Sequence, residues 1–222
     1  MFPRMIKIIF LGPTLKLEKA QEILEAEYKP PARKGDFLRL ATRSEGKHLV
    51  GLIDGVFLHD YPPSPIEVCQ VAQRTNFVLF GSSSLGALRD VELEKFGMRG
   101  IGKVFELFKK GILCADDEVA VTYSQGENRL QSEAMIDIRF NLFLAKKKRI
   151  IDDKCRKILT KQAKGLYFPY RNYETIIDIC QKEHPLLHEQ LEKFRLYINR
   201  NKESIKARDA IKLLEHFKAF SD

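Results

Sequence analysis

Phe77-Val78-Leu79-Phe80-Gly81-Ser82-Ser83-Ser84-Leu85-Gly86-Ala87-Leu88-Arg89 is the stretch on which the fold turns. Four bulky apolar residues in a row read as a strand buried on both faces. A glycine and three serines break it, and apolar residues then return at helical spacing from Leu85 to Leu93. Strand, tight turn and helix together make half of a βαβ unit. The same succession runs upstream. Met5–Leu11 (MIKIIFL) is a strand, Leu17–Leu24 has helical spacing, and Leu49–Ile53 is a short apolar run closing on Asp54-Gly55. Ser64-Pro65-Ile66-Glu67 then starts a helix, with Ser as the N-cap, Pro at the first helical position and Glu completing a capping box. Val119–Tyr123 reads as a fourth strand. The alternation predicts an α/β, Rossmann-like parallel sheet with helices on both faces.

Downstream the pattern changes. From about Gln131 it is helical, with Lys146-Lys147-Lys148-Arg149 on an exposed part of a long helix and a break at Gly165. Leu166–Arg171 is an aromatic connector, and helices follow near Tyr173–Lys182, Leu186–Asn199 and Glu203–Phe220. The chain therefore divides into an α/β core, 1–140, and a basic all-helical C-terminal region, 141–222, with the change of composition falling within 125–150.

The 222 residues, 44% apolar and 31% charged, can bury a real core. No apolar run approaches the length of a membrane span. The start resembles an export signal only superficially: its apolar stretch, Met5–Leu11, contains Lys7 and runs into Gly12-Pro13, as a buried first strand does. Cys69, Cys114, Cys155 and Cys180 form no CxxC pair and lack zinc-site spacing, so reduced thiols in a cytoplasmic protein are expected. No metal and no cofactor are expected. The net charge of +8 is concentrated. Residues 1–145 carry 19 basic and 19 acidic residues, and residues 146–222 carry 19 and 11. Such a neutral body with a basic extension suits an acidic partner or simply solvated basic helix faces; nucleic acid ranks behind these.

In open parallel sheets ligands bind beyond the carboxyl ends of the strands. Gly12-Pro13-Thr14, Asp54-Gly55 and Gly81-Ser82-Ser83-Ser84 all lie there. Read as small-x-Ser-x-Gly, Ser82 to Gly86 resembles a loosened nucleophile elbow centred on Ser84. Three roles fit it: a nucleophile, an anion- or substrate-binding helix start, or a plain N-cap. Of the five histidines, His59 is the best placed to activate a serine. Asp54 is a base, a hydrogen-bond anchor or a turn residue. Arg89 and Glu92 share a helix face as a salt bridge, or Arg89 turns toward an oxyanion. Asp116-Asp117-Glu118 reads as a surface strand start or a cation site, and Gly97–Gly102 is a weak nucleotide signal.

Taken in order, Phe10–Pro13, Tyr28–Pro31 with Gly35-Asp36, Gly51–Gly55, Gly81–Arg89 with Glu92-Leu93, Phe96–Gly102, Asp116–Val119 and Ser132–Ala134 resemble the TfuA-like family over residues 8 to 140. Leu85 stands where relatives more often carry Met, a volume-conserving change. Pro65-Ile66 stand where relatives often carry polar residues, which weakens any functional role for Glu67. The resemblance implies partnership with a YcaO enzyme in ATP-dependent peptide-backbone thioamidation. The family member releases or delivers sulfur from a thiocarboxylated, ThiS-like sulfur carrier protein, and the acceptor is a target peptide or methyl-coenzyme M reductase. On this footing Ser84, Asp54 and Arg89 are the candidate catalytic residues. Gly12, Pro13, Gly55, Gly81, Ser82, Ser83, Gly86, Glu92 and Arg99 are candidates to bind the substrate, with Gly12, Gly55 and Gly81 walling a slot for the carrier tail. Lys146, Lys147, Lys148 and Arg149 are candidates to dock a partner. The alternative is a non-catalytic adaptor that docks the carrier and activates YcaO allosterically.

Overall fold

A computed structural model describes residues 5–57, 61–124 and 129–220. The chain forms two compact units. The first comprises residues up to Cys114 together with those from Lys206 onward, and the second is Ala115–Ile205.

The first unit is built on five parallel strands: β1 (Ile6–Phe10), β2 (Glu27–Lys29), β3 (His48–Leu52), β4 (Phe77–Ser82) and β5 (Arg99–Ile101), in the order β2-β1-β3-β4-β5. This is a doubly wound sheet whose order reverses between β1 and β3. Alternate residues of each strand supply the two faces. Ile8, Phe10, Val50, Leu52 and Leu79 pack with Phe37 and Leu40 of α2 (Asp36–Ala41) and with Val68 and Val71 of α3 (Pro65–Ala72). Ile9, Leu49, Ile53 and Phe80 pack with Ala20 of α1 (Leu17–Ile23) and with Ala210, Leu213, Leu214 and Phe217 of α10 (Ile205–Ala219). Helices thus cover both faces, as the alternation requires. α4 (Leu85–Leu93) and α5 (Lys103–Lys109) complete this unit.

Two strands escape sequence reading. β2 is three half-buried residues, and β5 lies inside the glycine-rich run 97–102, between left-handed Gly97 (φ 103°) and Gly102 (φ 107°). The start of α3 follows expectation in part. Ser64 Oγ accepts from the Glu67 N–H, but the Glu67 carboxylate accepts from the Gly35 N–H (3.1 Å) across to α2, so the reciprocal half of a capping box is replaced by a tertiary tie.

The second unit holds α6 (Met135–Lys147), α7 (Asp153–Gly165), α8 (Tyr173–Glu183) and α9 (His188–Asn201) around Ile138, Leu142, Leu159, Ile177, Leu191 and Phe194. The fourth strand expected at Val119–Tyr123 is not formed. Asp116–Glu118 is a 3-10 turn, Val119 and Ala120 are buried without sheet pairing, and only Tyr123-Ser124 pairs, as β6, with β7 (Arg129-Leu130) in a two-stranded ribbon. The apolar side chains of Val119 and Ala120 are nonetheless buried, so they leave water without a sheet. The sequence-based division at 140/141 falls inside α6, and α10 belongs with the sheet.

Candidate functional site

β4 leaves the sheet at Ser82, and the next three residues make an abrupt turn into α4. Ser83 lies in the left-handed region (φ 65°), and the Ser84 N–H donates to the Ser82 carbonyl (2.8 Å), closing a three-residue γ-turn of the strained hand. A non-glycine residue held this way costs roughly 1–3 kcal/mol and needs support from its surroundings. That support comes from α10. The Ser83 hydroxyl donates to the Lys206 carbonyl (2.8 Å), and Ser82 Oγ lies within donor distance of the carbonyls of Ile101 (2.8 Å) and Asp209 (3.1 Å). The strained centre is therefore Ser83, one residue before the position spacing suggested, because the elbow turns inside the serine run and not at its end. Ser84 follows as the residue before α4 (φ −112°, ψ −123°). It is buried, it makes no side-chain cap, and its hydroxyl hydrogen-bonds nothing among the described residues.

Asp54 stands where the sheet order reverses. Its carboxylate accepts from the N–H of Gly12 (2.9 Å), the N–H of Thr14 (3.1 Å) and the Thr14 hydroxyl (2.6 Å). It thereby clamps the end of β3 to the loop after β1, and it is buried. Of its proposed roles, the structure displays the anchor. Gly12, Gly55, Gly81 and Gly86 are each close-packed: a Cβ would run into Pro31 at Gly12, Leu85 at Gly55, and the Gly86 carbonyl at Gly81. At Gly86 it would overlap the Leu52 carbonyl, so this glycine lets α4 ride directly on the end of β3, where its N–H donates to Ile53 O (3.3 Å).

Arg89 is committed locally. Its Nε donates to Pro63 O (3.0 Å), and its Nη1 pairs with Glu92 (2.9 Å). Pro13 is half-buried beside the Asp54 clamp, and Arg99 is exposed on β5 with its guanidinium 5.8 Å from the Phe80 ring centre. The structure thus brings together the serine turn with Gly81 and Gly86, and separately the Asp54 clamp with Gly12. Arg89 and Glu92 form their own pair. Lys146–Arg149 belong to the second unit, at the exposed end of α6, where Lys146 pairs with Asp153 (2.7 Å) and Lys148 lies 5.2 Å from the Tyr197 ring centre. His59 lies outside the described residues.

Three residues near the serine turn escape sequence reading. Lys206 and Asp209 arrive on α10, more than a hundred residues downstream. Both are buried, and Asp209 Oδ2 caps α5 by accepting from the Val104 N–H (2.7 Å). Burial raises the Asp209 carboxyl pKa. Asp90 on α4 is fully buried, and among the described residues neither of its carboxylate oxygens has a hydrogen-bond partner. Burial above all, with Glu94 adding to it and Lys109 opposing, pushes its pKa up to about 7. Gly81 and Gly100 make its room: side chains there would meet Asp90 atoms.

The cysteines behave as packing groups in two of four cases. Cys155 and Cys180 are buried in the second unit, and burial pushes their thiols up to about 12 and about 11. Asp117 and Glu118 are held in ion pairs. Asp117 meets Arg171 (2.5 Å) and Lys164 (2.5 Å), and Glu118 meets Arg139 (2.9 Å) and Lys164 (3.0 Å). Among the described residues no group of three or more potential metal ligands is gathered. Nor is any helix among them long and apolar enough to cross a membrane.

Doubly wound topology, with a strained serine turn at the carboxyl end of a central strand, defines an α/β protein with its candidate site at the usual edge of the sheet. The model of the TfuA-like protein family matches residues 54–172, more than half of the chain, and the chain belongs to that family. The match begins at Asp54 and runs through α7 and the aromatic connector, so it reaches further into the helical unit than the ordered motifs suggest. None of the curated proteins compared with the chain matches it.

Proposed function

We propose that this protein works with a YcaO enzyme in peptide-backbone thioamidation, releasing sulfur from a thiocarboxylated carrier protein at the serine turn. The observation that carries this reading is Ser84: a buried residue whose hydroxyl hydrogen-bonds nothing among the described residues, beside a residue held in a strained conformation, in a chain of the TfuA-like family. Strained backbone concentrates where function requires it. In the reaction Ser84 Oγ attacks the thiocarboxylate carbon, the C–S bond breaks, and the serine proton leaves with the sulfur as hydrosulfide. Water then cleaves the ester, returning the carrier carboxylate and the free hydroxyl. Asp54 acts here by positioning, since its three accepted hydrogen bonds tie the loop after β1 to the end of β3, where Gly86 of α4 donates to the Ile53 carbonyl.

One observation favours the adaptor reading: among the described residues no base hydrogen-bonds Ser84, and Arg89 is occupied by Pro63 and Glu92. One assay separates the two. Sulfide release from a thiocarboxylated carrier is measured with the wild-type protein and with Ser84→Ala, whose fold is checked by circular dichroism. Hydrolysis predicts release by the wild type and a loss of about a hundredfold or more in the variant. No release by the wild type, with thioamidation still accelerated when YcaO is added, overturns the hydrolase and leaves the adaptor.

A further inference from the structure

α7 is a two-faced helix. Cys155, Leu159 and Ala163, at spacings of four, are buried in the helical core. The other side carries Arg156, Lys157, Lys161 and Lys164, and with Thr160, Gly165 and Arg139 of α6 these line an open groove of about 440 Å³. Three carboxylates organise the cations. Asp153 holds Arg156 and Lys157 (both 3.0 Å) as well as Lys146; Glu118 holds Arg139 and Lys164; Asp117 holds Lys164 and Arg171. Six cations thus share three acids. Among the described residues Lys161 forms no ion pair, and it is exposed.

Past Gly165, the last lining residue, the chain runs into the connector. There the exposed rings of Tyr167 and Tyr170 (58% and 68% accessible) stand 6.2 Å apart, with Tyr167 backed edge-on by Phe168 at 5.0 Å. Buried Arg171 fixes this turn, donating Nε to the carbonyls of Ala163 and Leu166 (both 3.1 Å) and Nη1 to the Asp117 carbonyl (2.7 Å). Rigid, exposed tyrosines at the end of a row of cations have the composition of a protein-recognition surface.

We infer that the α7 groove and the Tyr167–Tyr170 turn form a docking surface for an acidic, extended segment of a partner protein, distinct from the serine turn and independent of its chemistry. Lys157, Lys161 and Lys164 step along the helix by about 6 Å and then about 4.5 Å at 1.5 Å per residue, against about 6.6 Å between same-side residues of an extended chain. Alternating carboxylates on such a segment fall within reach of successive cations. A nucleic acid fits less well. Its affinity comes from many uncompensated cations that each displace a counterion, whereas among the described groove cations only Lys161 is wholly uncompensated and Asp153 already neutralises two of the others.

The test uses the full chain and a short fluorescein-labelled peptide of Glu-Ser repeats, read by fluorescence anisotropy near physiological salt. The wild type is expected to bind saturably. Lys157→Glu with Lys161→Glu is expected to weaken binding about tenfold or more, and Lys161→Ala alone, which breaks no ion pair of the fold, about threefold. Tyr170→Ala is also expected to weaken it, while Lys95→Glu, exposed on the first unit and outside the groove, leaves it within about twofold. Absence of saturable binding by the wild type overturns the inference. So does an equal loss in Lys95→Glu, or tighter binding of an oligothymidylate of equal charge.

Discussion

Asp90 makes stability depend on pH in the opposite sense to most carboxylates. In the unfolded chain its carboxyl ionises near the ordinary 3.8; in the fold burial holds the proton on up to about 7. Between those values the folded state binds the extra proton, so stability falls as pH rises. The gap is worth about 4 kcal/mol at ~1.4 kcal/mol per pH unit. None of that penalty is present below pH ~4, and all of it above pH ~7. Asp90→Asn keeps the shape and cannot ionise. The variant is therefore expected to exceed the wild type by about 2–4 kcal/mol at pH ~8 and to match it or fall slightly below at pH ~4.5, because an amide in the same place also lacks partners. Urea unfolding followed by circular dichroism at a series of pH values reads this directly, with the first unit's transition resolved separately where the two units melt apart. Parallel pH profiles for the two proteins would refute the reasoning, since they would mean that the buried carboxyl ionises as freely folded as unfolded.

Two further outcomes follow from packing. Gly86→Ala pushes a methyl into the Leu52 carbonyl and should destabilise by more than about 3 kcal/mol in a thermal melt, whereas Gly165→Ala, with open space around it, should be neutral or gain up to about 1 kcal/mol. Native-state alkylation near pH ~8 should label exposed Cys114 first and leave Cys155 and Cys180 unmodified until unfolding, as mass spectrometry of the labelled peptides would show.

The strands that sequence reveals are those whose burial on both faces leaves a continuous apolar run: β1, β3 and β4. β2 and β5 are three-residue strands with exposed or half-buried side chains, so their residues carry no such run. In β5 Gly100 makes room for Asp90 and Phe105, a packing role that the sequence does not announce. The serine turn is legible because strand, small residues and helix are consecutive. Its support is not, because Lys206 and Asp209 reach it only through tertiary folding, and a helix read from periodicity does not declare which surface it covers. Asp90 is hidden by its neighbours: Arg89 and Glu92 draw attention to the helix face that bears an ion pair, while the residue between them turns inward.

Because α10 is separated from the rest of its unit by all of Ala115–Ile205, the ribosome finishes the sheet long before it finishes the unit. Throughout that interval Ile9, Leu49, Ile53 and Phe80 lack the helix α10 that covers them, and two of the three carbonyls that hold the serine turn, those of Lys206 and Asp209, have not yet been made. The nascent sheet therefore depends on chaperone cover or on delayed collapse until Phe217 emerges. Its serine turn gains the hydrogen bonds to α10 only as that last helix docks, so a chain that stops short of Lys206 carries the turn without them.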